Sequence, residues 1–149
     1  MRCIVLQKYW EFRREIKKAV ARHATGGRLP ELITTDSDEF AIRMAREGLV
    51  QGKSILAITG IRGGYQSYGR EFIMQLREIA PSAIIIVFSG TSLQELGDAQ
   101  RLVDAFISRF DNDSFDLIGR VIASSEAPLT IPLLGQRFPE LLTRGELAR

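Results

Sequence analysis

Three observations predict an α/β fold built on a doubly wound parallel sheet. Two apolar runs, Ile55–Ile58 and Ala83–Phe88, lack polar alternation, as strands buried on both faces do. A segment of helical periodicity separates them, which makes a βαβ unit. Each run ends in small residues, Thr59-Gly60 and Ser89-Gly90, at the strand ends where such sheets open their sites.

The elements follow in order. Cys3–Leu6 reads as the first strand and Trp10–Arg22 as the first helix, with Phe12, Ile16, Ala19 and Val20 on one stripe and Gly26-Gly27 closing it. Leu32–Thr35 is a short second strand. Asp36 or Ser37 caps the next helix, whose apolar positions are Phe40, Ile42, Met44, Ala45 and Leu49, and Gly52 ends it. Ile55–Ile58 is the third strand. Glu71–Ala80 is the third helix, with Phe72, Ile73, Leu76 and Ile79 at helical spacing and Pro81 as its stop. The fourth strand follows at once. Ser92–Ala99 carries the weakest helical pattern, Ala105–Ser108 is a fifth strand, and Asp113 or Ser114 caps a last core helix through Ala123. Five strands thus alternate with five helices in a domain spanning residues 1–126.

Residues 127–149 form a Pro/Leu-rich tail expected to pack on the domain or on a partner. Leu129, Ile131, Leu133, Leu134, Phe138, Leu141 and Leu142 are more apolar surface than a free tail carries in water. Either the tail folds across its own domain or it binds a second chain, and a homodimer through the last helix and the tail is the preferred expectation.

A chain of 149 residues, 45% hydrophobic, builds one core and is too short for two ordinary domains. The single cysteine, Cys3, excludes an internal disulfide and any CxxC motif, which fits a reducing cytoplasm. No stretch approaches the roughly 20 apolar residues of a spanning helix, and Gln7-Lys8 interrupts any leader-like start. A soluble, cytoplasmic protein with no membrane partner is expected. The net charge of +2 hides an asymmetry, since residues 1–28 carry +6 and the remainder −4. Arg13, Arg14, Lys17, Lys18 and Arg22 make the first helix a candidate surface for an acidic protein or a nucleic acid, or simply a solvated outer face. Nucleic acid ranks last, because the helix offers no aromatic platform and no known DNA-binding motif.

Over roughly residues 3–124 the element order and a few spaced positions resemble the receiver domain of bacterial response regulators. The resemblance implies a flavodoxin-like three-layer sandwich with strand order 2-1-3-4-5. In that family the third strand ends in a phosphate-accepting Asp, and a Gly further on opens the next helix. Gly60 and Gly69 stand in those places here. Ser89 matches the family's Thr or Ser after strand four. Phe106-Ile107-Ser108-Arg109-Phe110 stands where the family has an aromatic, an apolar residue, a spacer and Lys-Pro. The acidic pair that holds magnesium after strand one is replaced by Gln7-Lys8. The resemblance therefore implies a degenerate pseudo-receiver without the phosphoacceptor Asp. It would have no catalytic residue, no metal and no cofactor, and would signal through protein contacts. The implied partner is a second copy or a signalling protein such as a histidine kinase or an output protein.

The loop from Thr59 to Tyr65 is expected beside Lys8 on one flank and Ser89-Gly90-Thr91 on the other. Lys8, Gly60, Arg62, Gly63, Gly64, Ser89 and Arg109 are the candidate binding residues. Pointing inward they would hold a phosphate, a nucleotide or an acidic side chain. The plainer alternative is glycines that make a turn and cations that face water. The sharper version suggests a second class of function, a protein or enzyme for a small anionic ligand or nucleotide using the Gly60–Gly64 loop. Neither GxGxxG after strand one nor GxxxxGK[ST] is present. His23, the only histidine, falls far from Thr59 and Ser89 and is read as a surface residue at a helix end. Asp36 and Asp38 stand near enough to replace the acid pair, although capping explains them more simply. Phe106 is read as a core residue rather than a switch.

Overall fold

The computed structural model describes residues 1–24, 30–62, 68–126 and 129–143. Strands β1 (Arg2–Leu6), β2 (Glu31–Thr35), β3 (Ile55–Thr59), β4 (Ile84–Ser89) and β5 (Ala105–Ser108) form a parallel sheet of order 2-1-3-4-5 flanked by helices. A two-residue strand, β6 (Leu142–Thr143), joins it antiparallel beside β5. Every residue of β1, β3 and β4 is buried, which accounts for sequences that are apolar apart from Arg2, Thr59 and Ser89 at their ends.

Alternate strand residues feed two cores. Helices α1 (Trp10–His23) and α4 (Ser114–Ala123) cover one face, against Cys3, Val5, Leu56, Ile58, Ile86 and Phe88. Helices α2 (Asp38–Val50) and α3 (Arg70–Ile79) cover the other, against Ile4, Leu6, Ala57, Ile85 and Val87. Ser37 caps α2 by accepting a hydrogen bond from the Phe40 amide at 3.2 Å. Gly26-Gly27, expected to close α1, lie outside the described residues.

Four expectations change. The segment after β4 is a 3₁₀ stretch, Leu93–Leu102, broken at Gly97 with φ 55°, so its weak α-helical pattern reflects a kinked element. At the start of α4 neither candidate side chain caps. Asp113 sits in the left-handed region with no cap bond, and the Ser114 hydroxyl donates to the Arg109 carbonyl at 2.8 Å. The tail contributes helix α5 (Ile131–Arg137), capped by Thr130, besides β6. Leu129, Leu134, Phe138 and Leu141 are buried in the core shared with α1 and α4, while Ile131 is exposed.

His23 is the fourth change. Its Nε2 lies 2.6 Å from Oδ1 of Asp116, half-buried between helices. The cause is the closeness of α1 and α4, since a Cβ on Gly119 would come within 2.4 Å of the Ala19 Cβ. Arg22 and Arg120 reach the same carboxylate at 3.6 Å, and His23 and the two arginines hold its pKa below the usual range.

Candidate functional site

Parallel pairing brings Leu6, Thr59 and Val87 level, and Ser89 level with Ser108, so the residues after β1, β3, β4 and β5 open on one edge. They enclose a cleft of about 210 Å³. Its floor is made of Gln7, Gly60, Ile61 and Ser89, and its walls of Lys8, Tyr9, Phe12, Arg62, Tyr68, Thr91 and Arg109.

The floor is closed by its own hydrogen bonds. Gln7, only 2% exposed, spans from β1 to β4 and donates through Nε2 to the Phe88 carbonyl at 3.1 Å. Gly60 leaves room for that amide, because a Cβ there would stand 3.1 Å from Gln7 Oε1. Gly69 has φ 82°, and a Cβ on it would fall 2.1 Å from the Gly60 carbonyl oxygen. Two glycines nine positions apart thus pack backbone against backbone. The Arg62 and Tyr68 main chains exchange a pair of 3.1 Å hydrogen bonds that closes the neck of the loop. Ser89 donates to the Ile61 carbonyl at 3.1 Å and accepts from the Thr91 amide at 3.0 Å, so its hydroxyl is already engaged.

The walls are cationic. Lys8 and Arg62 are exposed, and Lys8 Nζ lies 5.9 Å from the Tyr9 ring centre. Arg109 is half-buried, with its guanidinium 4.4 Å from the Phe12 ring centre and 5.2 Å from that of Phe110. Gly90 permits that stack, since a Cβ would meet Arg109 Nη2 at 2.7 Å. Among the described residues no ion pair joins Lys8, Arg62 or Arg109 to a carboxylate. Gly63 and Gly64, the other two expected binding residues, lie outside the described residues.

Among the described residues no Asp or Glu lines the cleft, and the sequence has none from Gly60 to Gly69. Acids stand beyond Tyr68, whose hydroxyl donates to the Asp36 carbonyl oxygen at 3.3 Å. Burial, and then the charges of Asp38 and Asp36, push the Tyr68 phenol above its ordinary range. The Asp38 carboxyl is pushed up too, mainly by burial and further by Glu71. Among the described residues no three His, Cys, Asp or Glu side chains gather in a way that would hold a metal.

The five expected surface cations of α1 serve different ends. Arg13 turns back to donate to the Gln7 and Lys8 carbonyls at 2.7 and 3.1 Å. Lys18 lies 3.5 Å from Glu15, and Arg22 3.6 Å from Asp116. Arg14 lies over the Trp10 ring at 5.9 Å, and Lys17 is exposed. Sequence reasoning missed the aromatic rim. Tyr9, Trp10 and Phe110 are 51%, 56% and 75% exposed, so this end of α1 does carry aromatic surface. The signal was Tyr9-Trp10-Glu11-Phe12 directly after β1 and Phe110 directly after β5, where rings have no strand to bury them.

No protein-family model matches the sequence, and no curated protein matches it. Solved structures do. The response regulator TrrA of Thermotoga maritima, solved with Mg²⁺ and BeF, is 20% identical, with a TM-score of 0.55 over 75% of this chain and 89% of that one. The manganese-bound response regulator Rcp1 is 14% identical, with a TM-score of 0.63 over 86% and 96%. A receiver domain of Rhodospirillum rubrum is 15% identical, with a TM-score of 0.60 over 83% and 91%. The chain has the receiver-domain fold. Among the described residues no helix is long and apolar enough to cross a membrane.

Proposed function

We propose that this chain is a receiver-like signalling module that acts through protein contacts and takes up no phosphoryl group by the aspartyl route. The observation that carries the reading is Gly60 at the end of β3, with the buried Gln7 amide filling the space beside it. Phosphoryl transfer by the aspartyl route needs a carboxylate oxygen as nucleophile, and a divalent ion to balance the charge that gathers on the phosphoryl oxygens. The lining supplies an amide, hydroxyls and cations instead. The one buried hydroxyl, on Ser89, has both its hydrogen bonds spent and no base beside it, because the only histidine is engaged with Asp116.

The scaffold that sets the cleft is meanwhile intact. A fold of this kind with its cations directed outward works by binding, and charge attracts the partner. Incubation with acetyl phosphate and Mg²⁺ followed by intact-mass measurement tests the reading. The mass stays unchanged if it holds; a product heavier by one phosphoryl group overturns it.

A further inference from the structure

We propose that the cleft and its rim bind an acidic peptide segment of a partner protein. One carboxylate enters among Lys8, Arg62 and Arg109 while an apolar neighbour rests on Tyr9, Trp10 or Phe110. The inference rests on the protein-contact reading above and names the chemistry of the partner.

Charge and size select the occupant. Lys8, Arg62 and Arg109 line one cleft with no carboxylate among its described lining, so an incoming anion meets three cations there, with the acids Asp36 and Asp38 standing beyond Tyr68. Stacking on Phe12 and Phe110 holds the Arg109 guanidinium in place, which lowers the entropy lost when it forks onto a carboxylate. At about 210 Å³ the cleft admits a carboxylate but is smaller than pockets for drug-sized ligands, which begin at ~300 Å³. That disfavours a nucleotide. A nucleic acid strand needs a track of cations along its backbone. Here Arg13 is tied to main-chain carbonyls, and the surface cations Lys18 and Arg22 pair with Glu15 and Asp116, which breaks up any such track along α1.

The rim supplies the apolar part. Tyr9 packs edge-on against Phe12 at 5.5 Å, and Phe12 and Phe110 flank Arg109, so an exposed ring lies on either side of the cation. Aromatic residues and arginine left together on a surface are the side chains that dominate protein–protein affinity.

Trp10 is the only tryptophan and, exposed, directly follows the cleft-wall residue Tyr9 at the start of α1, so its fluorescence is the reporter of occupancy. The full chain is titrated with a short peptide of Asp, Glu and Leu. The expected result is a saturable emission change that weakens with added salt and is absent with a Lys-for-Glu version. Affinity falls at least about tenfold in Lys8→Gln/Arg109→Gln. Arg62→Gln, exposed and free of packing, weakens binding without touching the core.

A flat acidic titration, an equal response to the basic peptide, or variants that bind like the parent each overturn the inference. So does binding of oligothymidylate or ATP in place of the acidic peptide. Failure of the peptide with no phosphoryl adduct sinks this inference alone, whereas an adduct sinks the reading beneath it.

Discussion

Replacing Gln7 by Glu returns a carboxyl to the end of β1 and costs stability in a pH-dependent way. The native amide is buried and gives its Nε2 hydrogen to the Phe88 carbonyl. An ionised carboxyl has no hydrogen to give and would set two acceptors against each other. Losing a buried hydrogen bond in this manner costs about 1–3 kcal/mol. Lys8 and Arg109 on the cleft wall offset part of the added cost of burying the charge. For a chain of this size the loss lowers the melting midpoint by roughly 2–4 °C per kcal/mol.

Burial raises the introduced carboxyl's pKa above its unfolded value of about 4.3. Protonated, it still donates to Phe88, so the penalty is smallest below the unfolded pKa and grows as pH rises through the folded one. Urea unfolding followed by circular dichroism at pH 4 and pH 8 measures this. Gln7→Ala, which cannot titrate, serves as the pH-independent reference. A Gln7→Glu protein as stable as the parent at pH 8 refutes the placement of this side chain as a buried donor.

Three further outcomes are expected. Gly69→Ala strains a left-handed backbone and drives a Cβ into the Gly60 carbonyl, so it destabilises by more than about 1 kcal/mol, measurable as a fall in the urea midpoint. Arg77→Met removes donors to the Pro81, Ala83 and Leu102 carbonyls and to the buried Asp104 carboxylate, at a cost of about 3–5 kcal/mol in the same assay. Glu31 and Asp116 have lowered pKa values, Glu31 through Lys53 and Arg2, so the stability they add is present above their unfolded pKa and is lost as pH falls through the folded one. A pH series of melting midpoints should therefore decline on the acid side, less steeply in Asp116→Asn.

Strand identity was legible because Cys3–Leu6, Ile55–Ile58 and Ile84–Phe88 are apolar, and a run buried on both faces leaves few alternatives; the order followed only from the resemblance to receiver domains. The kink at Gly97 was not, since the positions on both sides of it keep an apolar pattern. The tail's Leu and Phe residues announced burial but not its address. Both α5 against the α1 and α4 face and the pairing of Leu142–Thr143 with β5 depend on contacts distant in sequence.

That Lys8, Gly60, Arg62, Ser89 and Arg109 would line one cleft was legible because each follows or ends a strand. Gln7's role was hidden, because nothing in Gln7-Lys8 tells which of the two turns inward. The pairing of His23, at the end of α1 as expected, was hidden for a similar reason: its partner Asp116 is 93 positions away.

The lack of an Asp or Glu among the described residues that line the cleft is tested most directly by Mg²⁺ with beryllofluoride, which together mimic an aspartyl phosphate only where carboxylates receive them. The melting midpoint of the chain should be the same with and without the pair. A saturable rise that requires both would contradict the account.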